Sequence, residues 1–298
     1  MSALLARRAE ILKLERLLGT APGAFAFLEK IEALVIRALR EQMTGVLFDS
    51  DRAALQKVAA ATKLTPAAIA AVIAEKALGA LLCARVAALL PADKAIDISR
   101  RLSPDFLAEV CLHIDPRRVQ EIIRGTPASL VVAVSKRLEQ QREFVTMARF
   151  VDALTLDAIK AVMAETDDVE ALLRTAFFVE NPARNNELVA LLPKAKLKRL
   201  VQVSTTSAEL WSTGLGLMEL LTPQWRGEMG VLAAELDDAA LERIARFTQQ
   251  ENLWDAELST LMAMPEPARR RMLESPAFSA PPIRAAIAAT AKARGVVL

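Results

Sequence analysis

Apolar positions in this chain recur in one short phrase, written six times. An apolar residue or Gly is followed by Ser, Thr or Asp and then usually by Pro, with apolar residues three, six and seven places past the Pro position. Four copies carry the Pro: Leu64-Thr65-Pro66 with Ile69, Val72 and Ile73; Leu102-Ser103-Pro104 with Leu107, Val110 and Cys111; Ile114-Asp115-Pro116 with Val119, Ile122 and Ile123; and Gly125-Thr126-Pro127 with Leu130, Ala133 and Val134. Two copies replace it, at Leu154-Thr155-Leu156 with Ile159, Val162 and Met163, and at Leu236-Asp237-Asp238 with Leu241, Ile244 and Ala245. Proline is tolerated at the first helical position because its missing N–H would be unpaired there, and the preceding hydroxyl or carboxylate can cap the exposed donors. The phrase therefore predicts helix starts, each with an inward stripe at the apolar offsets.

Between Pro91 and Pro127 these starts fall every 11 to 13 residues, at Pro91, Pro104, Pro116 and Pro127. The helices between them hold only about 8 to 10 residues, too few to be stable alone, so each must bury its stripe against neighbours. Stacking of this kind is the logic of a solenoid. Further starts follow at Thr155, Asp167, Asn181-Pro182, Leu192-Pro193, Ser207, Thr222-Pro223, Asp237, Met264-Pro265 and Pro281-Pro282. The first 62 residues lack the phrase and read as longer helices over 4–18, 25–43 and 51–62, parted by Thr20-Ala21-Pro22-Gly23. The expectation is an all-α chain with an N-terminal longer-helix region, 1–62, and a helical-repeat region, 63–298, in one continuous domain.

The run from Leu90-Pro91 to Leu138 resembles the cytoplasmic N-terminal domain of bacterial magnesium transporters, and more distantly the armadillo-like helices of the flagellar motor switch protein. The resemblance is carried by Leu102, Pro104, Leu107, Val110, Ile114, Pro116, Val119, Ile122 and Ile123. It implies short antiparallel helix pairs stacked as a right-handed, HEAT/armadillo-like superhelix. Acidic residues that crowd that family's helix starts are partly replaced here by Arg100, Arg101, Arg117 and Arg118. The superhelix is carried over and the ion sites are not.

Composition sharpens the fold class. Tyr is absent, aromatics make up 4%, and Ala and Leu dominate a chain that is 53% hydrophobic. Ala and Leu are strong helix formers, whereas strands favour aromatic and β-branched residues. Charge is nearly balanced, 38 Lys plus Arg against 36 Asp plus Glu, which gives no global pull toward nucleic acid. Residues 58–73 mimic a helix-turn-helix, but the second helix offers no polar side chain to base edges. The longest uncharged stretch, Leu17 to Leu28, is too short to span a membrane, and Glu75, Lys76 and Arg85 interrupt the apolar run from Ala67 to Leu90. That run is expected to be a buried helix or helix pair. The N-terminus lacks the order of a signal peptide, and the isolated Cys83 and Cys111 fit free thiols in a reducing cytoplasm.

No catalytic constellation assembles. His113 is the only histidine and stands at a helix end, where it suits the dipole. Asp167-Asp168 and Asp237-Asp238 stand at helix starts, where carboxylates cap. No metal and no cofactor is expected. The expected function is that of a noncatalytic scaffold or adaptor for a protein partner, with a carrier or sensor of an apolar small molecule as the alternative. The candidate binding residues are Trp211 and Trp225, bordering a groove between neighbouring helices, and the basic cluster of Lys194, Lys198 and Arg199.

Overall fold

A computed structural model describes residues 3–296, and among them it contains helices and no strand. The chain opens with α1 (Ala3–Leu18) and a 3₁₀ turn (Ala26–Lys30). Two compact units follow from the packing: a first unit of Lys13–Ala24 and Leu34–Asp167, and a second unit of residues 3–12, Phe25–Ala33 and 168–296. Beyond the crossings within the first 34 residues, the chain passes from one unit to the other at 167/168.

The first unit comprises α2 (Ala33–Asp49), α3 (Arg52–Leu64), α4 (Ala67–Ile73), α5 (Gly79–Ala87), α6 (Ala92–Ser99), α7 (Pro104–His113), α8 (Gln120–Gly125), α9 (Ala128–Gln140), α10 (Phe144–Val151) and α11 (Leu156–Glu165). A π-helical turn (Ala74–Leu78) joins α4 to α5, and a 3₁₀ turn (Pro116–Arg118) precedes α8. Packing runs from each helix to the next but one: α3 on α5, α5 on α7, α7 on α9 and α9 on α11, with α4, α6 and α8 stacked beside them. Several small apolar clusters rather than one large core hold the unit, for example Ala84, Val110, Ile114, Val119 and Ile123.

The second unit comprises α12 (Val169–Phe178), α13 (Pro182–Leu191), α14 (Lys194–Ser204), α15 (Ala208–Leu220), α16 (Pro223–Ala234), α17 (Asp238–Gln250), α18 (Trp254–Ala263), α19 (Glu266–Glu274), α20 (Pro276–Ser279) and α21 (Pro281–Arg294). The same skipping order recurs, α12 on α14 on α16 on α18, and α13 on α15 on α17. Here one continuous core forms around Leu173, Trp211, Leu215, Met229, Ile244, Leu261 and Phe278, all nearly inaccessible to water. Helices approach closely at Gly227 and Gly230 of α16: a Cβ on Gly227 would run into the Ala263 carbonyl oxygen, with its carbonyl carbon 3.2 Å away. That obstacle is backbone and cannot swing aside. Gly227→Ala is therefore expected to destabilise the second unit by about 1–3 kcal/mol, read as an earlier urea midpoint in Trp fluorescence.

The capping logic holds where the hydroxyl or carboxylate faces the helix. Ser103, Thr155, Asp168, Asn181, Ser207, Thr222 and Asp237 each accept a backbone N–H from the first turn. Thr65 and Thr126 do not: each turns its hydroxyl back to donate to the carbonyl four residues earlier, Ala61 and Ile122, and closes the preceding helix instead. The stretch expected to be helical from Phe25 becomes the 3₁₀ turn and a separate α2. Two connections, α9 to α10 and α17 to α18, end on non-glycine residues in the left-handed region, Arg142 and Asn252, each followed by an N–H that returns to a carbonyl in the preceding helix.

Candidate functional site

Residue placement separates the expected binding residues. Trp211 lies in the core of the second unit, 1% exposed, with its indole N–H donated to Thr248 Oγ1 at 2.8 Å. It offers no surface to a partner, which corrects its assignment to an open groove: the whole middle of α15, Leu210 to Met218, is buried and carries the indole inward, and Thr248 satisfies its one polar atom. Trp225 is half-buried at the start of α16 and packs against the same core. Lys194, Lys198 and Arg199 are exposed on α14, and among the described residues they make no ion pair. Lys194 and Lys198 stand one turn apart, so this part of the expectation remains a surface feature.

The second unit also holds a cleft of about 500 Å³ between the start of α17 and α19. Leu236 and Leu241 line it together with Asp238, Arg270, Arg271 and Glu274, and Arg270 is paired with Glu266. Four charged side chains make this lining suit a polar occupant rather than an apolar one.

Sequence reasoning missed the feature that stands out in the first unit: helices turned with their large apolar side chains outward. On α2 the buried positions are Ile36, Arg40 and Thr44, while Leu34 (71% exposed), Val35, Leu39, Val46 (74%) and Leu47 face solvent. Val35, Leu39 and Val46 recur at helical spacings of i, i+4 and i+11 with Gln42 between them, which is the a/d seam of a helix awaiting another. On α4 the small residues Ala67, Ala70 and Ala71 are buried, while Ile69, Val72 (61%) and Ile73 are exposed. These are the +3, +6 and +7 positions of the first phrase copy, and here the stripe points out. In the Asp237 copy all three stripe residues are buried, as expected. Leu81 and Leu82 on α5 are exposed as well, so the apolar run is not the buried helix pair that its composition suggests.

Polar contacts fix α2 and the 3₁₀ turn together. Arg118 makes two bonds to the Asp49 carboxylate, at 2.8 and 3.0 Å, and lies 4.5 Å over the Phe48 ring. Its hydrogen bonds hold the Asp49 carboxyl below the usual range. Asp115, 4% exposed, accepts from Arg117 N, Nε and Nη2, and Arg149 donates to the neighbouring Ile114 carbonyl at 2.8 Å. Arg85 reaches the Leu47 carbonyl at 2.8 Å.

Chemistry is sparse elsewhere. His113 is held below its usual pKa by desolvation and by Arg16, so it is neutral at pH 7. Burial pushes the Cys83 and Cys111 thiols up to about 11 and about 12, which keeps them protonated and poorly nucleophilic. Among the described residues no group of three or more His, Cys, Asp or Glu side chains is placed to hold a metal ion. Glu257 on α18 is fully buried with neither carboxylate oxygen partnered, and desolvation raises its pKa to about 8. Comparison with protein-family models, with curated proteins and with solved structures finds no match.

Proposed function

We propose that this chain is a noncatalytic helical scaffold that holds a protein partner against α2. The observation that carries the reading is the inverted amphipathicity of α2: it buries Arg40 and Thr44 and leaves Val35, Leu39 and Val46 in water. Exposing large aliphatic side chains while burying an arginine is costly for an isolated chain, and a helix laid along the seam would remove that apolar area from water. Charges beside the seam are mixed in sign, with Arg37, Glu41 and Asp49 on the same helix, which suits a protein surface. The helix-to-next-but-one packing supports reading the chain as a HEAT/armadillo-like superhelix, right-handed by its resemblance to the transporter domain, and such architectures present extended surfaces for holding other chains. Two unbridged, protonated thiols support a reducing, cytoplasmic setting.

A photo-crosslinking residue at Val46 tests the proposal in source cells. The expected result is one discrete protein adduct at Val46, abolished by Leu39→Glu, and none from the same residue placed at exposed Gln250. No adduct at Val46, or an adduct indifferent to Leu39→Glu, overturns it.

A further inference from the structure

We propose that the outward face of α3 to α5 docks on an anionic lipid bilayer, lying in its interface rather than crossing it. Ile69, Val72 and Ile73 follow one another at i, i+3 and i+4, so three exposed aliphatic side chains share one face of α4, and exposed Lys76 follows in the π turn. Leu64, 90% exposed, precedes them beside Lys63, and Leu81 and Leu82 continue the apolar surface on α5.

Charge chooses the occupant. From Arg52 to Leu90 the chain carries five cations, Arg52, Lys57, Lys63, Lys76 and Arg85, and a single carboxylate, Glu75. That carboxylate is turned away from a partner's cations by two bonds from Ser103, its N–H at 2.7 Å and its hydroxyl at 2.8 Å. Lys57 and Lys63 are exposed and, among the described residues, make no ion pair, and Lys76 is exposed beside Glu75, whose carboxyl its charge helps to hold low. An aliphatic face with exposed lysines on the same stretch of chain complements a surface that is apolar below and negative above, and lysine stems can lie along the apolar layer while their ammonium groups reach phosphates. The α2 seam, with charges of both signs, lacks this bias.

Geometry decides between lying and crossing. Residues Ala67–Ala87 are long and apolar enough to span a bilayer, with a mean hydropathy of 1.9, yet 28% of that window is buried in protein. Its inner side is already occupied: Ala67, Ala70 and Ala71 pack with Ile98, Ala84 with Val110 and Ile114, and Val86 with Leu55 and Ala59. Gly79, at φ +74°, also breaks the run between the π turn and α5. Only the outer side is free to meet lipid.

The test is flotation of the full chain with vesicles of phosphatidylcholine, or of phosphatidylcholine and phosphatidylglycerol at about 3:1. The chain is expected to float with the anionic vesicles and to be released in part by high salt. Val72→Asp, and separately Lys63→Glu with Lys76→Glu, are expected to lower partitioning about tenfold or more, whereas Leu156→Asp, at an exposed leucine on α11, leaves it unchanged. All these positions are exposed, and circular dichroism checks that each variant stays folded. Failure to bind anionic vesicles, equal binding to both compositions, or binding indifferent to Val72→Asp overturns the proposal. So does a concentration-dependent dimer that Val72→Asp dissolves, which would make this face a contact between copies.

Discussion

Glu257→Met stabilises the second unit by about 3 kcal/mol at pH 7, and by much less at pH 5, when unfolding in urea is followed by Trp fluorescence. The wild-type carboxyl is fully buried, has no hydrogen-bond partner and titrates at about 8 in the folded chain, against an ordinary value of 4.5. A raised carboxyl pKa means that the folded state binds the proton more tightly than the unfolded one. Glu257 therefore costs nothing through ionisation below pH 4.5, costs progressively more as pH rises, and reaches its full penalty above pH 8. Methionine has a similar reach and no charge to desolvate, so the difference between variant and wild type isolates this one group. Trp211, Trp225 and Trp254 all lie in the second unit, which makes fluorescence a report on that unit. A difference that stayed flat from pH 5 to pH 8 would show that water or a neighbour reaches the carboxylate.

In the first unit Asp115→Ala is expected to cost about 3 kcal/mol or more, seen as loss of helical circular dichroism at lower urea. The carboxylate is buried, takes three bonds from Arg117 and lies near Arg118, 3.7 Å from its Nε. Arg149, whose own charge burial opposes and Asp115 supports, would keep only its bond to the Ile114 carbonyl. Removing the anion leaves the buried Arg149 guanidinium without the charge that favours it and frees the bonds of Arg117, although Arg118 keeps Asp49 and Arg117 keeps Glu41 at 3.4 Å. An uncompensated buried cation is a larger loss than a surface ion pair represents. Asp115→Asn, which keeps the acceptor for the Arg117 N–H but not the charge, should fall between wild type and Ala. A loss under about 1 kcal/mol for Asp115→Ala would mean that the arginines swing to solvent unaided.

Helix starts were legible because Pro, Ser, Thr and Asp act locally: the first turn needs an acceptor, and the residue either supplies it or does not. Thr65 and Thr126 show the limit of that reasoning, since a threonine has two turns to serve and chose the one behind it. Helix orientation was legible where one face was polar, as at Leu241, Ile244 and Ala245 on α17. On α4 both faces are apolar, so period alone could not tell that the alanines would pack and the isoleucines would not. Close packing favoured the small side chains, because Ala67, Ala70 and Ala71 let α4 approach α6. Trp211 was misplaced for the opposite reason: an indole reads equally as anchor or core until Thr248, 37 residues away, is known to hold its N–H. The outward face of α2 had a signal in Arg40 and Thr44, which share a side with Ile36, but burial of an arginine is visible only in three dimensions.

Leu5, 1% exposed, belongs to the second unit's core, whose next member in sequence is Val169. During synthesis the start of α1 therefore leaves the ribosome well over a hundred residues before the helices that cover it. At roughly 5–20 residues per second this leaves its apolar side uncovered for on the order of ten seconds or more. The second unit thus closes with segments far apart in the chain, and its core is complete only when α1 packs with the helices from α12 onward.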